Sequence, residues 1–249
     1  MGFMGHEFIR QVREFSDQMV EYTSQHLEVD GFPTPLRLST ADEVLTFVRE
    51  HQITSIRLWF TDILGNLKTF GITPAELAGA FEEGMGFDGS SCHGYQRIQE
   101  SDMVAIPLPE TAQFIPFQIG SSRCLRMFAE VRNPDGSRYA GDPRNVLRTQ
   151  LERLGEKGFT HMNVGPEAEF FYFRSPHSAE KLDDAGYFDL VPSDTGDDLR
   201  EATHFALEAM GIAVEYSHHE VAPSQHEIDL KYDRALEMAD KLQTYKWLV

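Results

Sequence analysis

EYSHHEVAPSQHEIDL, residues 215–230, holds three glutamates, one aspartate and three histidines within the fifteen residues 215–229. The apolar and β-branched residues on either side predict strands over 212–217 and 225–230, both too short to be helices. Successive strand residues face opposite sides, so Gln225, Glu227 and Asp229 share one face. Two neighbouring histidines suggest zinc at first sight. His218 and His219 are adjacent, however, so on a strand they point apart and do not easily bind one ion. A carboxylate-rich site for a hard divalent cation fits the segment better. The alternative is an exposed, solvated acidic strand.

A second segment, GPEAEFF at 165–171, repeats the pattern. Glu167 and Glu169 share a face, while Ala168 and Phe170 can pack on a core from the other. Carboxylates that close repel one another and hold a proton unless a cation lies between them. Mg²⁺ or Mn²⁺ would supply it; a solvated strand face is again the alternative. A third segment, Phe87-Asp88-Gly89-Ser90-Ser91-Cys92-His93-Gly94-Tyr95, reads as a glycine-rich loop between a helix and a strand. Glycines let backbone approach a ligand closely, but GxxxxGK[ST] is absent, so this is not a Walker A loop.

The rest of the chain is α+β. Phe8, Val12, Phe15, Met19 and Tyr22 trace one face of a helix over 7–27, which Asp30–Pro35 ends. Thr40 and Glu43 form a capping box for a short helix. Strands are expected at 53–60 and 67–72, joined by the Asp62–Asn66 turn. Thr73-Pro74 starts a helix over 75–81. Further strands are expected at 103–106, 113–117 and 124–131, followed by a turn at Asn133–Gly136. Asp142-Pro143 opens a helix to about Glu156. A long strand within 161–174, a helix over 194–210 and a last helix over 232–249 complete the reading. Leu242, Tyr245, Trp247, Leu248 and Val249 form an apolar end that needs a partner. The expected domains are a helical extension at 1–37, a small α+β domain at 38–138, and a second domain from 139 to 249.

Composition limits the partners. With 22 basic and 40 acidic residues among 249, the formal charge is −18, which repels nucleic acid and anionic membrane surfaces. No run of about 18 apolar residues is present, so no membrane-spanning helix is expected. The N-terminal sequence lacks the basic and apolar regions of a secretory signal. Cys92 and Cys124 have neither CxxC spacing nor zinc-like neighbours, so they read as reduced thiols of a cytoplasmic protein.

Taken together, FTDILGNLK (60–68), MGFDGSSCHGYQRIQESDM (85–103), PDGSRYAGDPR (134–144), GPEAEFF (165–171), AGYFDL (185–190) and EYSHHEVAPSQHEIDL (215–230) resemble type I glutamine synthetase in order and spacing. The resemblance runs from about Ser39 to Val249 and leaves residues 1–37 unexplained. It implies a β-grasp domain over 38–138, then an incomplete catalytic domain with a curved antiparallel sheet. It also implies ATP-dependent ligation of ammonia to L-glutamate through γ-glutamyl phosphate, in two stacked hexameric rings. By the same resemblance, Glu169, Glu220 and Glu227 hold the metal nearest glutamate and Glu167 holds a second, both Mg²⁺ or Mn²⁺. Glu215 sits at ATP. Asp88, from the adjacent subunit, binds and deprotonates ammonium, with Ser91 in the same loop. The family's chains continue for about as long again, and that half supplies a histidine ligand, a mobile loop and substrate-gripping arginines. This chain is therefore expected to be inactive alone. Two alternatives are a glutamate–amine ligase of the same fold and a shortened, non-catalytic homologue that joins a full-length ring.

Overall fold

The structure is a computed structural model that describes residues 35–92, 94–95, 101–116 and 123–249. The helix expected over 7–27 lies outside the described residues. The chain forms two compact units: residues 35–163 with 234–243, and residues 164–233 with 244–249.

The first unit is built on a six-stranded mixed sheet. Helix α1 (Ala41–Glu50) begins at the expected capping box: Thr40 accepts from the Glu43 N–H at 3.2 Å, and Glu43 accepts from the Thr40 N–H at 3.1 Å. Strands β1 (Ser55–Thr61) and β2 (Leu67–Ile72) pair antiparallel around a turn organised by Asp62. That fully buried carboxylate accepts from the Leu64 and Asn66 N–H groups, both at 2.9 Å, and pairs with Lys68. A 3₁₀ turn and α2 (Leu77–Glu82) lead into β3 (Met85–Asp88), β4 (Asp102–Pro107), β5 (Gln113–Phe114) and β6 (Cys124–Arg132). The order is β2-β1-β6-β4-β3, with β5 also on β6. Strand β6 is buried along almost its whole length, as its central place requires, and it runs parallel to β1 but antiparallel to β4.

Helix α3 (Pro143–Glu156) is capped by Asp142, whose other oxygen accepts the Val131 N–H of β6. Its first turn is fixed by Arg144, which grips Asp240 of the last helix, α5 (Ala235–Leu248), with two N–H groups at 3.1 Å. Where the sequence suggests a loop at Phe87 and Asp88, these residues instead end β3, an edge strand whose pairing with β4 brings Asp88 opposite Asp102.

In the second unit, the long strand expected over 161–174 is broken. Short β7 (Asn163–Val164) stops at Gly165-Pro166, because proline has no N–H to continue a ladder. Then come β8 (Glu167–Phe171), β9 (Phe173–Ser175), β10 (Ser178–Lys181), α4 (Asp197–Ala209), β11 (Val214–His219) and β12 (Gln225–Leu230); β13 (Asp233–Arg234) closes the order. Strands β11, β12 and β8 form an antiparallel sheet in that order. Helix α4 starts three residues later than the sequence suggests because Asp194 is committed elsewhere, to the Gly196 N–H and to Arg200. The C-terminal apolar end finds part of its partner within the chain. Tyr245 is buried, donates to the Ala168 carbonyl at 2.8 Å and packs on Phe170. Among the described residues no helix is long and apolar enough to cross a membrane.

The Arg144–Asp240 pair supplies a stability test. Both side chains are about seven-eighths buried, so Asp240→Ala strands a guanidinium in the interior. The expected loss is about 3 kcal/mol, read as a lower urea midpoint with an unchanged slope. A loss under about 1 kcal/mol, the range of exposed pairs, would show that the pair contributes only as a surface contact.

Candidate metal centre

The register of the three-stranded sheet places the acidic residues. Glu169 of β8 lies opposite Glu227 of β12, which lies opposite His218 of β11. Two residues along, Glu167 lies opposite Asp229, which lies opposite Tyr216. Neighbouring strands are about 4.8 Å apart and residues two apart are separated by about 7 Å, so these two rungs bring six side chains onto one patch of one face. The expected sharing of a face by Glu167 and Glu169, and by Gln225, Glu227 and Asp229, follows from this register. In β8 the two glutamates are exposed while Ala168 and Phe170 turn inward.

Glu220 joins the patch from just beyond β11, where its N–H donates to the Gln225 carbonyl at 2.7 Å. His218 Nε2 lies 3.4 Å from Glu227, and its Nδ1 lies 3.7 Å from Glu220. One ligand atom from each of His218, Glu220 and Glu227 lies within 4.8 Å of the others, a spacing one ion can bridge. The Gln225 amide donates to Glu169 and holds it beside the group. Glu215 falls outside this alternation. The ladder passes from Val214↔Leu230 to Tyr216↔Asp229, so residue 215 is the extra residue of a β-bulge, the device that re-aims a side chain.

The electrostatics of the patch favour a cation. Glu220 and Glu227 share a histidine, His218, as their basic neighbour, and an imidazole carries a full charge only when protonated. Burial, reinforced by the negative charge of Asp229, pushes the Glu227 carboxyl up to about 7. Asp229 is buried beside them, and its negative charge also holds the Tyr216 phenol above its usual range. Oxygen donors that are crowded and acidic fit a hard divalent ion. Beside His218 lies a cleft of about 450 Å³, lined also by Tyr216, Phe188, Asp189 and Arg200.

The opposite face of the same strands is buried and carries a polar network. His219, fully buried, sits between Asp183 at 2.9 Å and the Glu220 carbonyl at 2.7 Å. Asp183 also accepts from the Ser224 and Thr195 N–H groups. Arg200 pairs with Asp194 at 2.7 Å and places a donor 2.8 Å from His226 Nδ1. Gly196 packs so tightly here that a Cβ would meet the His226 ring at 2.5 Å. Asp183, His219 and His226 have the spacing of a metal triad, but the carboxylate is already occupied by protein donors. His218 and His219 do diverge, as alternation requires, and each enters a separate cluster. The sequence predicts that the two do not easily bind one ion, and it gives no sign of Asp183, Asp194 and Arg200. Adjacent histidines on a strand that is acidic on one face were the available signal for His218. Nothing local marks the other three.

Asp88 and Ser91 belong to the first unit. Asp88 is exposed and its carboxylate is held below the usual range, chiefly by the Ser90 hydroxyl at 2.6 Å and then by the Ser90 N–H. Ser91 is exposed in the 3₁₀ turn Gly89–Ser91. Both cysteines are free thiols.

The His226 ring yields a pH prediction. Burial, with the Arg200 charge beside it, lowers its pKa to about 4, against the ordinary 6.5. A depressed histidine folds neutral, so its contribution is complete above pH 6.5 and is lost as pH falls toward 4. The loss is up to about 3 kcal/mol across that window. His226→Asn, whose amide oxygen can accept from Arg200, should flatten this acid limb in urea titrations from pH 4 to 7. An unchanged slope would mean that the ring is charged in the folded protein.

Comparison with known proteins places this arrangement. Residues 52–134 match the glutamine synthetase β-grasp domain, and residues 140–249 match the glutamine synthetase catalytic domain. A glutamine synthetase of Mycobacterium tuberculosis is 49% identical over 212 residues, covering 83% of this chain and 47% of that protein. One from Methanosarcina mazei is 43% identical over 217 residues, covering 86% and 48%. A cryo-EM structure of Plasmodium falciparum glutamine synthetase superposes with a TM-score of 0.77 at 23% identity, over 86% of this chain and 48% of that one. A GmaS–ADP complex gives 0.74 at 24% identity, over 82% and 47%. The chain thus spans about half the length of the relatives it matches. It carries the β-grasp domain and part of the catalytic domain, and it belongs to the glutamine synthetase family.

Proposed function

We propose that this chain supplies the ammonium loop and most of the acidic metal ligands for ATP-dependent formation of L-glutamine from L-glutamate and ammonia. The observation that carries the reading is the pair of cross-strand rungs, Glu169–Glu227 and Glu167–Asp229, on one sheet face. Its family setting and the 49% identity to a protein named glutamine synthetase favour ammonia over a larger amine as acceptor.

In this reading Glu169, Glu220 and Glu227 hold one Mg²⁺ or Mn²⁺ near the glutamate, and Glu167 holds another beside ATP. The ions, when bound, neutralise the anionic reactants and align attacking and leaving oxygens. The chain's own residues do the rest. Glu215, set apart by the bulge, faces the nucleotide. Gln225 keeps Glu169 in place. The γ-carboxylate of glutamate is a poor electrophile and is first phosphorylated. Asp88, ionised and exposed, draws ammonium from solution and takes its proton, because only neutral ammonia can attack γ-glutamyl phosphate. Ser91 lines the same loop. Asp88 would serve the site of a neighbouring copy in a double hexameric ring, and a cytoplasmic location belongs to the same reading.

Two outcomes are expected. Mn²⁺ titration of the chain should show binding that Glu227→Gln weakens by more than about tenfold, since a carboxylate ligand is lost. Supplied with ATP, glutamate, ammonium and Mg²⁺, the 249-residue chain should form no glutamine. The reaction needs cationic donors on the moving phosphoryl group, and each such donor contributes about 10²–10³ in rate. Following phosphate and glutamine together checks this. Turnover of about 1–10³ per second would overturn the claim that further residues are required.

A further inference from the structure

Asp183 has no assigned work in the reaction, and it lies on the buried side of the sheet. Its carboxylate is nonetheless fully engaged. One oxygen, Oδ2, accepts from the N–H and the hydroxyl of Thr195. The other, Oδ1, takes His219 Nε2 at 2.9 Å and the Ser224 N–H at 3.1 Å. Those last two partners bracket a tight connection: His219 is the final residue of β11, and Ser224 stands immediately before β12.

The connection needs a clamp. Ser224 has a φ of +62°, in the left-handed region that a residue with a Cβ rarely adopts. It is fully buried, and Asp183 holds it from several sides. Besides the bond from its N–H, its hydroxyl accepts the Asp183 N–H at 3.0 Å and donates to the Asp183 carbonyl at 3.2 Å. Such backbone persists only where its surroundings over-determine it, and it clusters at functional sites. Between the two clamped ends lies Glu220. Its N–H donates to the Gln225 carbonyl at 2.7 Å, and its carbonyl lies 2.7 Å from His219 Nδ1. One of its carboxylate oxygens, Oε2, accepts the Val221 N–H at 2.8 Å. The other, Oε1, turns toward His218 at 3.7 Å, into the group of side chains that one ion can bridge.

We propose that Asp183 is the positioning residue of the acidic patch: through one oxygen it clamps both ends of the turn 219–225 and so fixes where Glu220 presents its carboxylate. The inference rests on the metal-site reading of the opposite face, and in it Asp183 touches neither cation nor reactant. Residues that orient a ligand from behind typically change metal affinity about 10–100-fold when removed.

Mn²⁺ binding to the full chain, followed by calorimetry and by the EPR spectrum of the bound ion, tests it. Wild type, Asp183→Asn and Asp184→Asn are compared, with circular dichroism confirming that each is folded. An amide offers one accepting oxygen where the Asp183 carboxylate uses two. Asp184 is the exposed next residue, so its substitution removes the same charge and leaves the clamp in place. The expected result is that Asp183→Asn weakens Mn²⁺ binding about tenfold or more and broadens the bound-ion spectrum, while Asp184→Asn stays near wild type. A merely structural role would lower stability and leave the spectrum of the folded protein unchanged. Wild-type affinity and spectrum in Asp183→Asn overturn the proposal, and so does equal weakening in the two variants, which would be an effect of charge alone; the metal reading stands in both cases. If wild type itself binds no Mn²⁺, the metal reading fails and the proposal with it. Should Asp183→Asn fail to fold, His219→Gln tests the same clamp, because its amide nitrogen can replace Nε2 at Asp183 but leaves the Glu220 carbonyl without its partner. Weakened Mn²⁺ binding then supports the clamp, and unchanged binding overturns it.

Discussion

Period-two alternation in β12 is the constraint on which the second unit turns. Six consecutive residues must serve two incompatible environments: His226, Ile228 and Leu230 enter the interior on one side, while Gln225, Glu227 and Asp229 build a crowded anionic patch on the other. A slip of one residue would exchange them, turning two carboxylates into the interior and two apolar side chains to the patch. Register is therefore fixed as much by the cost of burying charge as by the gain from burying Ile228.

The interior side also governs the acidic side. His219 is tied at one nitrogen to Asp183 and at the other to the carbonyl of Glu220. Asp183 in turn holds the backbone at Thr195 and Ser224. The peptide that presents Glu220 is thus anchored from behind by a ring on the opposite face of the sheet from the acidic patch. A cluster of like charges tends to splay apart, and rigid backing keeps its members within reach of one ion. Arg200 contributes from the same side by fixing Asp194 and the start of α4.

Much of this was legible in the chain because it is local. The Thr40–Glu43 box, the Asp62 turn and the alternating faces of 165–171 and 225–230 each depend on residues within a few positions, and each took its expected form. What escaped depends on distance or on a partner. Asp183 meets His219 and Ser224 from 36 and 41 residues away, and no spacing announces that. The bulge at Glu215 exists only relative to the register of β12. Strand β10 is short, polar and exposed, so it has no apolar period to detect. Pro166 was visible in the sequence, and its missing N–H should have divided the long strand. The motifs 60–68 and 85–103 carried the family before any geometry did, because their residue choices are unusual while their elements are ordinary.

The close approach of Gly196 to the His226 ring has a genetic consequence. A single added methyl group at position 196 would collide with the ring one residue away from Glu227, yet it would alter no charge and touch no carboxylate. In a saturation library scored for function, position 196 should stand out as intolerant beside the acidic residues. Its substitutions would be misread as active-site lesions when they are collisions transmitted through one strand. Inheritance of the anionic patch thus depends on an absence: the missing side chain of a glycine on the far side of the sheet.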